Sequence, residues 1–117
     1  MVLHIKRFYN SSSRREKLST TVNIPPVLDM SPFGPRSSKY ICINYFLGHE
    51  SKKTANKYRL YGISHHSGSL YGGHYVAETM NLEDGQWYDC NDSRCSRTMH
   101  GHDQRSASAY VLFYVKS

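Results

Sequence analysis

An antiparallel, mostly β fold is what these residues predict. Ten of the 117 residues are tyrosine, and Val, Ile and Thr gather in short runs, all side chains that suit a pleated, half-buried surface. Eight glycines and four prolines interrupt those runs in the manner of turns. No segment keeps its apolar residues in step with a 3.6-residue turn for long, and no internal repeat is visible. A chain of this length suits one domain around one core.

The elements follow in order. Residues 2–9 read as a strand, with Leu3 and Ile5 on one face and His4, Lys6 and Phe8 on the other. Residues 10–17 are rich in Ser and Arg and read as an exposed turn. Residues 19–24 are rich in β-branched side chains and predict a second strand, which Pro25-Pro26 stops because proline cannot donate to a ladder. Residues 27–33 carry the apolar anchors Leu28, Met30 and Phe33. Residues 40–47 predict a third strand, and residues 48–56 a variable polar loop.

Residues 57–66 form the strongest strand pattern, with Tyr58, Leu60 and Gly62 alternating against Arg59, Tyr61 and Ile63. A glycine-rich loop is expected over residues 65–73, then a strand over 74–80. Asn81-Leu82-Glu83-Asp84-Gly85 has the Asp-Gly chemistry of a hairpin turn, and residues 86–90 return. A short strand is expected over 94–98 and a polar connection over 99–108. Residues 109–115 are continuously apolar, as a central strand would be, with Leu112 and Phe113 in the core. Trp87 and the tyrosines read as packing side chains.

Charge and cysteine content narrow the function. Fifteen Lys and Arg against nine Asp and Glu give +6, but the basic residues are scattered and read as a solvated face. A basic β module binding nucleic acid, with Tyr71 and Tyr75 as a stacking platform, is the weaker reading. The longest apolar runs are a few residues, too short to span a membrane. No charged-then-apolar leader opens the chain, and Met1 to Ile5 reads as the inside of a strand. Three cysteines, Cys42, Cys90 and Cys95, do not make a disulfide framework and suit a reducing, intracellular setting, cytoplasm or nucleus. Cys90 and Cys95 with His100 and His102 make a loose zinc set that lacks the usual paired spacing. No metal or cofactor is called for.

The chemistry concentrates in residues 58–75 and 87–92. Gly68, Gly72 and Gly73 allow a sharp, close-approaching backbone just before His74. His74 then opens a strand, so its ring projects from a rigid element at a loop mouth. Asn91 and Asp92 follow His74 by 17 and 18 residues, and a hairpin with strands of about six residues returns the chain near its start. Either side chain then falls within reach of the imidazole. A histidine held by Asn or Asp is the base half of a nucleophile–base–orienter set, although the same pairing also serves purely structural ends.

The run Tyr58-Arg59-Leu60-Tyr61-Gly62-Ile63, followed by His66, Gly68 and Gly73-His74-Tyr75, resembles the histidine box of the ubiquitin-specific proteases, which are papain-like cysteine deubiquitinases. Leu3-His4-Ile5-Lys6-Arg7-Phe8 resembles that family's Leu-x-Leu-Lys-Arg-Phe strand. Lys17-Leu18 through Pro25 and Leu28-Asp29-Met30 resemble the segment after it. Trp87-Tyr88-Asp89-Cys90-Asn91-Asp92 resembles its Trp box, with Cys90 where an aromatic is common, and residues 108–114 resemble its closing strand.

The resemblance covers nearly the whole chain. It implies the C-terminal part of a catalytic domain of α+β papain-like type, residues 1–117 forming the palm portion without the nucleophile-bearing thumb. By position, His74 is the general base, Asn91 takes the orienting place, and Asp92 shares or replaces it. His66, Gly68, Gly72, Gly73 and Tyr75 border the channel for a Gly-Gly tail. The implied partners are ubiquitin, ubiquitinated proteins and the missing N-terminal part of the domain, with neither nucleic acid nor membrane. The family's Asn-x-x-Cys box is absent from these 117 residues, and none of the three cysteines has a helix start to lower its pKa. This chain alone is therefore expected to be inactive, and a noncatalytic ubiquitin-binding or pseudoenzyme module is the alternative.

Overall fold

The computed structural model describes residues 1–33, 56–98 and 105–117. Those residues form eleven strands in chain order: β1 (Val2–His4), β2 (Phe8–Asn10), β3 (Arg15–Lys17), β4 (Val22–Asn23), β5 (Val27–Asp29), β6 (Lys57–Gly68), β7 (Gly73–Met80), β8 (Trp87–Asn91), β9 (Arg94–Arg97), β10 (Arg105–Ser106) and β11 (Ala109–Lys116). Among the described residues the only helical element is one 3₁₀ turn, Ser31–Phe33. The expected strand over residues 40–47, and the loop over 48–56 apart from Asn56, lie outside the described residues, as do Cys42, His100 and His102.

One seven-stranded sheet holds the molecule together, six strands in the order β1-β11-β6-β7-β8-β9 and β5 beside β6 off that path. The continuously apolar β11 is central, as its sequence predicts, lying between β1 and β6. β5 pairs with residues 57–59 of β6 and β7 with residues 62–68, so the two share one edge of that long strand in turn. β2–β3 and β4–β10 form two small ribbons.

Register explains where the sequence pattern misleads. On β11, Phe113 pairs with Gly62 and Tyr114 with Leu60, so Tyr61 is the extra residue of a bulge. The alternation of side chains shifts there by one. Leu60 and Ile63, expected on opposite faces, therefore both enter the core, beside Ile24, Ala109, Leu112 and Tyr114. Leu3, Ile5, Leu28 and Trp87 pack against that cluster. Burying each such aliphatic side chain contributes about 1.5–3 kcal/mol. The Tyr114 hydroxyl satisfies itself by donating to the Pro25 carbonyl at 2.9 Å.

Other expectations need correcting. Residues 2–9 are not one strand: the chain breaks after His4, and Arg7 turns inward to 1% exposure. Its guanidinium donates to the carbonyl oxygens of Ala109, Leu18, Thr20 and Ser106 at 2.6–3.1 Å. A fork of fixed donors can tie two distant backbone segments, residues 18–20 and 106–109, to its own, which a spacing rule cannot foresee. The exposed turn of residues 10–17 is a hairpin, β2–β3. Phe33 is 79% exposed and anchors nothing among the described residues. Phe113 leaves the core cluster for the other face, tilted against Tyr61. The hairpin turn over residues 81–85 forms as expected, with Gly85 at φ 69°.

Candidate active site

β6, β7 and β8 lie side by side, and their common end carries the predicted residues. Ser67 pairs with His74 and Gly68 with Gly73, so the glycine loop proper is only residues 69–72, tighter than the 65–73 expected. Gly68 takes φ +101°, and a Cβ there would lie 2.6 Å from the Gly72 carbonyl oxygen and from the Gly73 Cα. A Cβ on Gly73 would strike the His66 ring and lie 2.5 Å from the Ser67 oxygen. Both positions exclude any side chain. Gly72 is different: nothing stands within 4 Å of its would-be Cβ.

His74, the second residue of β7, is exposed. Its Nε2 lies 2.6 Å from Asn91 Oδ1, at the end of β8. Because the amide oxygen can only accept, Nε2 carries the proton in this contact and the lone pair is left on Nδ1. Asp92 does not join this pair. It occupies the turn between β8 and β9 at φ 51°, a conformation Asp tolerates, and makes no hydrogen bond or ion pair among the described residues. Asn91 and Asp92 thus part company: the Asn91 carboxamide meets the imidazole, and the Asp92 backbone makes the turn.

His66 and Tyr75 pair across β6 and β7 and, by strand alternation, face away from His74. They join Phe8 and Tyr110 in an aromatic cluster, with ring centroids 4.7 Å apart for His66–Tyr75 and 5.3 Å for Phe8–His66. Burial, together with the nearby Lys17 ammonium, pushes the His66 imidazole down, so the neutral ring is favoured. Phe8, His66, Tyr75 and the glycine loop line a recess of about 380 Å³. His65 points the other way. It is buried, with Nδ1 2.9 Å from Ser108 Oγ and Nε2 3.0 Å from Glu78 Oε1.

Two features escaped the sequence. Lys17 reaches from β3 to the carbonyl oxygens of His66 and Gly68, at 2.8 and 3.2 Å, and so grips the entry to the glycine loop. Its partners lie 49 and 51 residues away, and no local pattern marks it. Cys90 and Cys95 face each other across β8 and β9 and form a disulfide. An odd cysteine count gives no sign of that bridge, and sulfurs bonded to each other are not thiolate ligands for the zinc set considered above.

The sequence profile of the family described as ubiquitin carboxyl-terminal hydrolase matches residues 1–114. The chain belongs to that family. It is 36% identical over 115 residues to ubiquitin carboxyl-terminal hydrolase 2 of Gallus gallus, covering 97% of this chain and 28% of that protein. It is 33% identical over 114 residues to ubiquitin carboxyl-terminal hydrolase 5 of Arabidopsis thaliana, covering 97% of this chain and 11% of that one. A chain of the SAGA Ubp8/Sgf11/Sus1/Sgf73 DUB module bound to ubiquitin aldehyde superposes with a TM-score of 0.74 at 29% identity, over 99% of this chain and 24% of its own. The chain therefore spans less than a third of each of these proteins. Its antiparallel sheet is the β portion of their papain-like fold.

Proposed function

We propose that this chain supplies the general base and its orienter to a cysteine-type deubiquitinase that cleaves after the C-terminal glycine of ubiquitin. The observation that carries the reading is the 2.6 Å contact between His74 Nε2 and Asn91 Oδ1 beside the glycine loop. The carboxamide fixes the tautomer, so Nδ1 takes the proton of an incoming thiol. The thiolate attacks the carbonyl carbon of the isopeptide bond, and the imidazolium returns the proton to the leaving lysine amine. Water, deprotonated by His74, then clears the thioester. The recess beside Tyr75 and His66, lined also by Gly72 and Gly73 and with Gly68 at the root of its loop, takes the narrow Gly-Gly tail, where bulkier side chains would collide.

The nucleophile comes from a segment outside these 117 residues. Cys90 and Cys95 are tied to each other, and the sequence holds no Asn-x-x-Cys box. The test is complementation. Replacing the matching segment of the Gallus gallus relative by these 117 residues is expected to give a chimera that turns over a fluorogenic ubiquitin conjugate, while the 117 residues alone turn over none. Turnover by the isolated chain would overturn the assignment of the nucleophile. A folded but inert chimera would favour a ubiquitin-binding module.

A further inference from the structure

Asn91 sits at the tip of the β8–β9 hairpin, one residue from a disulfide. The β7–β8 ladder ends at Ala77 opposite Cys90, so Asn91 is one residue beyond its last pair. Among the described residues only β9 stands beyond β8, at the sheet's edge, and its four residues are all exposed. Asn91 is paired there with Arg94 alone, and the next pair inward is Cys90 with Cys95, joined as a disulfide. Their Cα atoms are 4.1 Å apart, near the close spacing of a non-hydrogen-bonded pair. The bridge closes a ring of residues 90–95 that contains Asn91 and the turn residues Asp92 and Ser93. Asn91 is therefore carried on a tip whose covalent closure lies immediately behind it.

We propose that the Cys90–Cys95 disulfide is a redox-sensitive brace on Asn91. Closed, it holds the carboxamide against His74; opened, it frees the tip and lets the imidazole sample both tautomers. The proposal rests on the reading of His74 and Asn91 as base and orienter. Cys95 is exposed and Cys90 half-buried, so a small thiol reaches Cys95 first. Its thiolate attacks Cys95 Sγ and forms a mixed disulfide, the Cys90–Cys95 bond breaks, and Cys90 leaves as a thiolate that takes a proton. A second thiolate attacks the small molecule's sulfur in that mixed disulfide, releasing the small-molecule disulfide and the Cys95 thiolate, which is protonated in turn. Two thiols are oxidised and one protein disulfide is reduced. Excess small-molecule disulfide runs the exchange backwards.

The experiment uses the 117-residue chain with Cys42→Ser, labelled with ¹⁵N, in oxidised and then reduced glutathione at constant pH. Thiol alkylation read by mass spectrometry gives the state of the pair, and the His74 ring nitrogen shifts give the tautomer. Asn91→Ala in the oxidised buffer defines the signature of a lost contact. Reduction is expected to move the His74 nitrogens most of the way to that signature, while residues of β6 and β11 keep their shifts. A Cys90→Ser/Cys95→Ser variant is expected to sit at the reduced position in both buffers. Unchanged His74 shifts on reduction, with Asn91→Ala still displaced, would overturn the brace and leave the base–orienter reading standing. Shifts that ignore Asn91→Ala would remove that reading and the proposal with it. Loss of the whole spectrum on reduction, or two alkylated thiols in oxidised glutathione, would also overturn the brace.

Discussion

The Lys17 ammonium donates to the carbonyl oxygen of His66 at 2.8 Å, pinning a residue 49 positions away at the root of the glycine loop. The same ammonium reaches the Gly68 oxygen at 3.2 Å. Removing this cation leaves two carbonyls at the loop entry without their donor. Lys17→Met is expected to raise amide hydrogen exchange at Ser69, whose N–H bonds the Gly72 oxygen across the loop, and to leave exchange in β11 unchanged. Equal acceleration in both places would mean that Lys17 supports the fold as a whole.

The three glycines differ in what they tolerate. Gly68→Ala must accommodate φ +101° and a backbone clash, and is expected to cost about 2 kcal/mol or more in urea unfolding. Gly72→Ala meets open space, and its stability is expected to stay within about 0.5 kcal/mol of the parent. If the recess holds a Gly-Gly tail, Gly72→Ala still weakens ubiquitin binding. A stable Gly68→Ala protein would contradict the loop geometry.

His66 gives stability a pH dependence. Its imidazole is held below the ordinary 6.5 by burial and by Lys17. Above that value the ring is neutral in folded and unfolded chains alike, and it contributes no slope. As pH falls below 6.5 the unfolded chain takes up the proton first, so stability is lost until the folded value is reached. The difference in unfolding free energy between the parent and His66→Gln is expected to shrink over that window. A difference that stays flat below pH 6.5 would mean the ring is not shielded.

Arg7 is the largest polar stake in the interior. Arg7→Met would strand four carbonyl oxygens that now share one guanidinium. The expected cost is about 3 kcal/mol or more, read by chemical denaturation. A smaller loss would show that water replaces the guanidinium.

Much of this fold was legible because strand alternation and turn chemistry are local. The Asn81–Gly85 turn, the long β6 and the apolar β11 all follow from neighbours in sequence. The candidate site was legible for a related reason: His74 and Asn91 flank one hairpin, so counting residues along two strands brings them together. What the sequence hid depends on distant partners. The bulge at Tyr61, which moves Ile63 into the core, is set by pairing with β11 some 50 residues on. The buried Arg7 and the grip of Lys17 depend on carbonyls supplied by other segments. The choice between Asn91 and Asp92 turns on which residue the β8–β9 turn takes for itself.

Three single substitutions in the chimera with the Gallus gallus relative, read as kcat/KM on a fluorogenic ubiquitin conjugate, separate the base and its orienter from their neighbour. His74→Ala is expected to lose about 100-fold or more, since it removes the base. Asn91→Ala should follow it closely, and Asp92→Ala should stay near the parent. A severe Asp92→Ala with a mild Asn91→Ala, or full turnover without His74, would contradict the account.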